Sequence, residues 1–289
     1  ISGGNLGRSV ANAHTTFKII EVLFMFPCTP LVVALTEKII PGEDQKVHHN
    51  ELQYITEISL KSPATMIPQA KNELKRMADM AQENLDRSIK GFLNQSDEYL
   101  NKIYHREEDI NNVSHAITDY LVKSNQLSLP LADQKILGSM FYVVNDIERI
   151  GDHAENFADY TKTELKHNTG LTGDAKEEIK KMYEAVSKLL KLSLESFMAQ
   201  DGVNTQEDKL AEIAALEASI DKMERRYQKH HIKRLAKGDC EPRAGLLFSD
   251  MLSELERIAD HSVNIAYSMS DEDEDEMLAA ENEALATNN

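Results

Sequence analysis

Two stretches of the chain are near-copies of each other, and this duplication limits what the chain can fold into. Residues 143–159 read VVNDIERIGDHAENFAD, and residues 251–267 read MLSELERIADHSVNIAY. The copies are 108 residues apart (256 − 148). This offset aligns four polar residues of each copy, Glu148, Asp152, His153 and Asn156 with Glu256, Asp260, His261 and Asn264. A match of this length indicates a duplicated structural unit.

Each copy contains the polar triplet Glu-x-x-x-Asp-x-x-x-Asn at helical spacing. Residues four apart lie on the same side of an α-helix, so we expect Glu148, Asp152 and Asn156 to line one side. The apolar residues beside them, such as Ile147, recur at three-to-four spacing. The acids are therefore expected to border the core of a helical bundle.

The rest of the chain favours an all-α fold. There are 12 Gly and 7 Pro in 289 residues, and no stretch shows the alternation of a β-strand. Apolar periodicity and turn signals predict six helices, at about 65–92, 97–124, 129–166, 174–198, 205–237 and 242–269. They form a tandem pair of three-helix bundles, spanning 51–167 and 174–270.

Residues 1–42 differ from this helical region and form a segment of their own. The run Val22–Thr36 carries no charge, but it is shorter than the ~20 residues needed to cross a bilayer. Lys18 and Glu21 precede it, and Pro27 interrupts it. Composition therefore leaves two alternatives open, a membrane segment and a buried or interfacial segment of a soluble domain.

The charge of −17 argues against a nucleic-acid partner. The tail 271–289 contains eight acidic residues and no basic residue, and we expect it to be disordered.

Two cysteines, Cys28 and Cys240, form neither a disulfide framework nor a zinc-finger spacing. This usage favours a reducing, cytoplasmic setting.

The second helix of each unit adds further acids. Glu217 and Asp221 repeat the Glu-x-x-x-Asp spacing, and aligning Ile110 with Ile220 places Glu107 and Asn111 opposite them. If second and third helices are antiparallel neighbours, each unit brings several carboxylates together. Clustered carboxylates are costly unless a cation neutralises them, and oxygen ligands suit Mg²⁺, Mn²⁺ or iron. A solvated acidic helix face is the competing interpretation.

Other polar residues of the motif predict no catalysis. His153 and His261 lie ~100° beyond their neighbouring Asp and are expected to be structural or interface residues. Arg149 and Arg257 are expected to pair with neighbouring acids or with the other unit. Since no nucleophile arrangement or phosphate-binding glycine loop is present, we do not expect an enzyme. A carboxylate-metal enzyme would need an open metal position, which nothing in the sequence indicates.

The paired motifs, ERIGDHAEN at 148–156 and ERIADHSVN at 256–264, closely resemble the signature of the PhoU family. The resemblance implies a tandem pair of three-helix bundles over about 55–270, with a multinuclear or single divalent metal (iron, Mg, Mn or Zn). It implies seven metal ligands, Glu107, Glu148, Asp152, Glu217, Asp221, Glu256 and Asp260. Asn111 departs from the pattern, because an Asp is expected there.

The amino-terminal segment carries a second resemblance. Residues 8–17, RSVANAHTTF, followed by the apolar run, resemble the last membrane segment of bacterial sodium–phosphate cotransporters. This implies one transmembrane helix at about 17–40, in the cell membrane, with residues from about 45 onward in the cytoplasm. The implied function is the carboxyl-terminal part of a sodium-dependent phosphate transporter, with phosphate and sodium bound by the missing membrane domain and a homodimer as a further expectation. The alternative is a stand-alone PhoU-type regulator that binds a phosphate transporter and a sensor kinase.

Overall fold

The computed structural model describes residues 14–18, 23, 52–56, 63–167, 170–199 and 203–268. The chain divides into two compact units, residues 1–48 and 49–289. In the first unit, residues 14–18 and 23 are helical. The predicted membrane helix at 17–40 and the predicted disordered tail at 271–289 lie almost wholly outside the described residues. Among the helices that are described, none is both long enough and apolar enough to cross a bilayer.

The second unit is all-helical over the described residues, which confirms the predicted fold class. Its six helices are α1 (Pro63–Leu93), α2 (Leu100–Asn125), α3 (Leu131–His167), α4 (Gly173–Met198), α5 (Val203–Lys237) and α6 (Pro242–Tyr267). α1, α2 and α3 pack against one another as a first bundle, and α4, α5 and α6 as a second.

Helix ends agree with the sequence signals at some positions and differ at others. The side chain of Thr172 caps α4 by accepting from the Ala175 amide at 3.3 Å, and Pro242 occupies the first turn of α6. The prediction that α2 begins at Asp97 is wrong, because the chain makes a further turn and the helix begins at Leu100. α5 begins at Val203, two residues before the predicted start at about 205.

A continuous apolar core joins the two bundles. The first helices of the bundles, α1 and α4, touch, and so do the third helices, α3 and α6. In the α1–α4 contact, the buried Lys71 donates to the carbonyl oxygen of Phe197 at 3.0 Å. The third helices carry the duplicated motifs, so this arrangement places the two copies against each other.

Candidate functional site

The first group of acids, here called the first acidic cluster, consists of Glu107, Glu148, Asp152 and Glu155. Glu107 is buried on α2, and the others are half-buried on α3. Burial, followed by the charges of Glu155 and Asp152, raises the pKa of Glu107 to about 7. Burial and Asp152 likewise raise the pKa of Glu148. The structure thus brings the predicted acids of α2 and α3 within electrostatic reach of one another.

Asn111 has a clear structural role in this cluster. Its side-chain amide donates a hydrogen bond to Glu107 Oε1, and this bond lowers the pKa of Glu107 against the effects that raise it. Position 111, where the family pattern has an Asp, therefore provides an amide that stabilises the ionised form of Glu107.

The second acidic cluster consists of Glu217 and Asp221 on α5 with Glu256 and Asp260 on α6. Burial, followed by Asp221 and Asp260, raises the pKa of Glu217. Burial raises the pKa of Asp260 and of Glu256, and Asp221 adds to both shifts. Arg225 pairs with Asp221 at 3.2 Å on the exposed side. Asp221 and Asp260 thus each interact with both glutamates, so the structure brings the four predicted residues into one cluster.

The donor chemistry of both clusters fits a hard cation, because carboxylates that repel one another gain from a shared positive charge. The side-chain geometry does not form a finished site. Over the described residues, no group of three or more His, Cys, Asp or Glu side chains is close enough to hold a metal ion.

The histidines of the two motifs lie in the contact between the bundles, as expected for interface residues. The buried His153 of α3 bonds through Nδ1 to Glu254 of α6. In the other direction, His261 of α6 bonds through Nδ1 to Asp146 Oδ1 of α3 at 2.8 Å. The two imidazole rings are 5.5 Å apart, centroid to centroid.

The asparagines of the motifs follow the histidines. Asn156 donates to Glu254 Oε2 at 3.1 Å, and Asn264 donates to Asp146 Oδ1 at 3.3 Å. Each copy of the motif therefore binds an acid of the other copy through its His and its Asn. The offset of 108 residues relates the two halves of this contact (254 − 146), so it has approximate twofold symmetry.

Glu148, Asp152 and Asn156 fall within one arc of α3 but have different partners: the two acids interact with Glu107 of α2, whereas Asn156 bonds to Glu254 of α6. A step of four residues advances about 400° around a helix, so Asn156 is rotated about 80° from Glu148. Asn156 therefore lies between Asp152 and His153 around the helix, at the edge of the row nearest to the other bundle. The motif accordingly divides into acids that face the neighbouring helix of their own bundle and a His–Asn pair that faces the other bundle.

The motif arginines pair locally, as expected. Arg149 lies 3.1 Å from Asp152 and 3.7 Å from Glu148, and Arg257 lies 3.9 Å from Glu254. Both guanidinium groups are exposed, so these ion pairs contribute little to stability.

Asp146 and Glu254 are the residues that reasoning from the sequence missed. Both are buried acids two positions before the motif Glu. Burial alone would raise the pKa of Glu254, but hydrogen bonds from His153 and Asn156 outweigh it and hold that pKa below its ordinary value. An available signal was that the 108-residue offset also aligns these two acids, at positions where the rest of the bundle face is apolar.

Comparison with known proteins agrees with this architecture. Residues 74–161 and residues 179–269 each match the PhoU domain family, so one copy of the domain covers each bundle. The chain belongs to the PhoU domain family.

Individual relatives and solved structures match about two thirds of the chain or more. The phosphate-specific transport system accessory protein PhoU homolog 1 of Thermotoga maritima is 20% identical over 196 residues, which cover 68% of this chain and 82% of that protein. A homologue of the same description from Clostridium acetobutylicum is 23% identical over 199 residues, 68% of this chain and 87% of that protein.

Among solved structures, PhoU from Pseudomonas aeruginosa superimposes with a TM-score of 0.63 at 19% identity, covering 71% of this chain and 95% of that one. The phosphate transport system regulatory protein PhoU from Streptococcus pneumoniae gives a TM-score of 0.62 at 20% identity, covering 72% and 97%. These structures share the fold of the six helices.

Proposed function

We propose that residues 49–289 act as a PhoU-type regulator of phosphate transport and perform no catalysis themselves. The observation that carries the proposal is the match of both bundles to the PhoU domain, together with relatives described as accessory proteins of phosphate-specific transport. The partner would be a phosphate transporter, and a sensor kinase is a further candidate partner. The joined core of the two bundles supports a rigid surface for such contacts.

The two acidic clusters are the proposed cation sites of this regulator. Glu107, Glu148 and Asp152 would hold a cation in the first bundle, and Glu217, Asp221, Glu256 and Asp260 in the second. Burial, together with repulsion between neighbouring carboxylates, raises their pKa values, and this supports the assignment because a bound cation would relieve the repulsion. The cation would neutralise the clusters and fix the spacing between α2 and α3 and between α5 and α6. The carboxylate donors suit Mg²⁺, Mn²⁺, iron or Zn²⁺.

The second cluster has the fuller set of donors. It offers four carboxylates, whereas in the first cluster the hydrogen bond from Asn111 already occupies an oxygen of Glu107. We therefore propose that the second bundle binds the cation more tightly than the first.

A second candidate function is the regulatory end of a sodium-dependent phosphate transporter in the cell membrane. The apolar run Val22–Thr36 and its resemblance to the last membrane segment of such transporters favour it. In that case residues from about 45 onward would lie in the cytoplasm, and sodium and phosphate would be bound by preceding membrane helices. The regulatory role of the six helices is the same in both candidates.

An uptake assay in cells of the source organism tests the regulatory role. Deleting the coding sequence for residues 49–289 is expected to change the initial rate of radiolabelled phosphate uptake at high external phosphate, with sulfate uptake unchanged. Replacement by the Asp152→Ala/Asp260→Ala variant is expected to reproduce part of the change. Phosphate uptake identical to the parent strain in the deletion would refute the proposal.

Detergent dependence separates the two candidates. If residues 17–40 span a membrane, the full chain requires detergent to remain in solution, and removal of residues 1–42 abolishes that requirement. A full chain that remains monodisperse without detergent favours the stand-alone regulator. Upstream membrane spans with paired Gln-Ser-Ser-type repeats would favour the transporter.

A further inference from the structure

The second half of α5 reverses the charge of the chain. Residues 222–237 contain seven Lys or Arg and one acid, in a chain of net charge −17. The duplication provides an internal comparison, because aligning Ile110 with Ile220 places residues 112–127 of α2 on this stretch. Those residues contain one Lys and one acid. Since both stretches end the second helix of a PhoU bundle, the basic charge is not needed for the fold.

The basic side chains of α5 share one exposed face. Lys222, Arg225, Lys229 and Lys233 are all exposed, and at 100° per residue they fall within an arc of about 80°. Lys237 continues the row at the end of the helix and is exposed as well. The row is made mainly of lysines, which act as hydrated point charges and do not impose the paired geometry that arginine gives to specific carboxylate contacts.

Large aliphatic side chains border this row. Ile232 is 62% exposed and Leu235 is 37% exposed on α5, and Leu246 is 66% exposed on α6. The two helices are in close contact here, since Leu235 Cδ2 would lie 3.3 Å from a Cβ added at Gly245. Leu246 directly follows Gly245 in α6, so an exposed aliphatic side chain of α6 adjoins the contact with Leu235.

We propose that this surface, the basic face formed by Lys222, Arg225, Lys229, Lys233 and Lys237 with Ile232, Leu235 and Leu246, docks on an anionic phospholipid surface. A row of lysines beside exposed aliphatic side chains is the arrangement by which helices lie in a membrane interface. The lysines attract acidic headgroups, and the aliphatic side chains enter the boundary between headgroups and acyl chains. Because the chain outside this face carries a net negative charge, the lysine row gives the basic face an advantage over acidic parts of the described structure in approaching such a surface.

Cys240 supplies a reporter for the test, because it lies in the turn between α5 and α6 and is partly exposed. The full chain with Cys28→Ser is labelled at Cys240 with a fluorophore and mixed with vesicles that carry a headgroup nitroxide quencher. One set of vesicles is pure phosphatidylcholine, and the other contains equal parts of phosphatidylcholine and phosphatidylglycerol. Quenching at Cys240 is expected only with phosphatidylglycerol and is expected to fall as salt is added.

Two matched variants make the test specific. The Lys229→Gln/Lys233→Gln/Lys237→Gln variant is expected to lower the docking constant about 100-fold. The Lys162→Gln/Lys180→Gln/Lys191→Gln variant loses the same charge at exposed positions outside the basic face and is expected to dock like the parent. Circular dichroism verifies that both remain folded.

The outcomes are separable from those of the proposed function, since neither phosphate nor a transporter is present. Equal quenching in both vesicle types would overturn the proposal. Every sample carries the same residues 1–42, so lipid binding by that segment does not account for a difference between the samples. Equal quenching in the two triple variants would also overturn it. The absence of any quenching would overturn it in favour of an acidic protein as the partner of the basic face.

Discussion

His153 of α3 and His261 of α6 lie with their ring centroids 5.5 Å apart, and each bonds to a carboxylate of the opposite helix. This relationship explains why the motif is duplicated with its histidine and asparagine intact. The His and Asn of each copy bond to an acid of the other copy. In return, the acid of each copy is bound by the His and Asn of the other. The contact therefore couples the two bundles through residues that adjoin both acidic clusters.

The two halves of this contact are unequally buried, so their loss should have unequal costs. The His153 side chain is 9% exposed, whereas that of His261 is 24% exposed. His153→Ala is expected to destabilise residues 49–289 by about 2–4 kcal/mol, because it leaves Glu254 buried with fewer donors. His261→Ala is expected to cost about 1 kcal/mol, because His261 is the more exposed of the two rings and water can enter its place to replace the hydrogen bond to Asp146. Urea unfolding at pH 7 measures both values, and equal costs or the reverse order would contradict this account.

Glu107 should make stability depend on pH in the direction opposite to an ordinary paired acid. Its pKa is about 7 in the folded protein, against an ordinary value of 4.5. Between these values the folded chain holds a proton that the unfolded chain has released, so stability falls as pH rises through this window. Glu107→Gln is expected to raise stability at pH 8 by on the order of 2 kcal/mol, with little effect at pH 4.

Glu254→Gln is the matched control for this titration. The pKa of Glu254 lies below its ordinary value, so its ionised form contributes stability above that value, and the contribution is lost as pH falls. Its replacement should therefore be costly at pH 8 and less so in acid. Unfolding curves of both variants across the pH range check the two signs, and parallel pH profiles would show that neither assignment holds.

Two helical glycines should respond to alanine with opposite signs. A Cβ at Gly245 would lie 2.4 Å from His231 Cε1, whereas a Cβ at Gly138 would meet nothing within 4 Å. Gly245→Ala is expected to cost about 1–3 kcal/mol, because the buried His231 ring must move. Gly138→Ala is expected to stabilise α3 by about 0.5–1 kcal/mol through helix propensity. Thermal unfolding of both variants decides this, and stabilisation by Gly245→Ala would contradict the described contact between α5 and α6.

Much of the fold could be predicted because its signals are local or duplicated. Apolar periodicity gives the bounds of α4 and α6 to within a few residues, and the acids at matching places in the second and third helices predict that each bundle brings several carboxylates together. The start of α2 at Leu100 was missed, because the Ser96–Asp97 turn signals do not say how many residues precede the helix.

Contacts between the bundles were harder to predict from spacing. The pairing of His153 with Glu254 depends on how α3 and α6 are placed in space, and no periodicity within either helix encodes that placement. The place of Asn156 at the edge of the acidic row follows from helix geometry, but its partner on α6 does not. The repeat offset aligns Glu254 with Asp146, but this alignment predicts a contact only once α3 and α6 are known to touch.

The most direct test of the central claim, that the paired acidic clusters bind a cation in this PhoU-type regulator, is metal content. Residues 49–289 are purified without chelators, analysed by mass spectrometry for Mg, Mn, Fe and Zn, and then titrated with the metal that is found. The Asp119→Ala/Asp208→Ala variant, altered at two exposed acids outside the clusters, is the control for Asp152→Ala/Asp260→Ala. We expect bound metal in the parent and the control and its loss in the Asp152→Ala/Asp260→Ala variant, whereas unchanged metal content in that variant would contradict the claim.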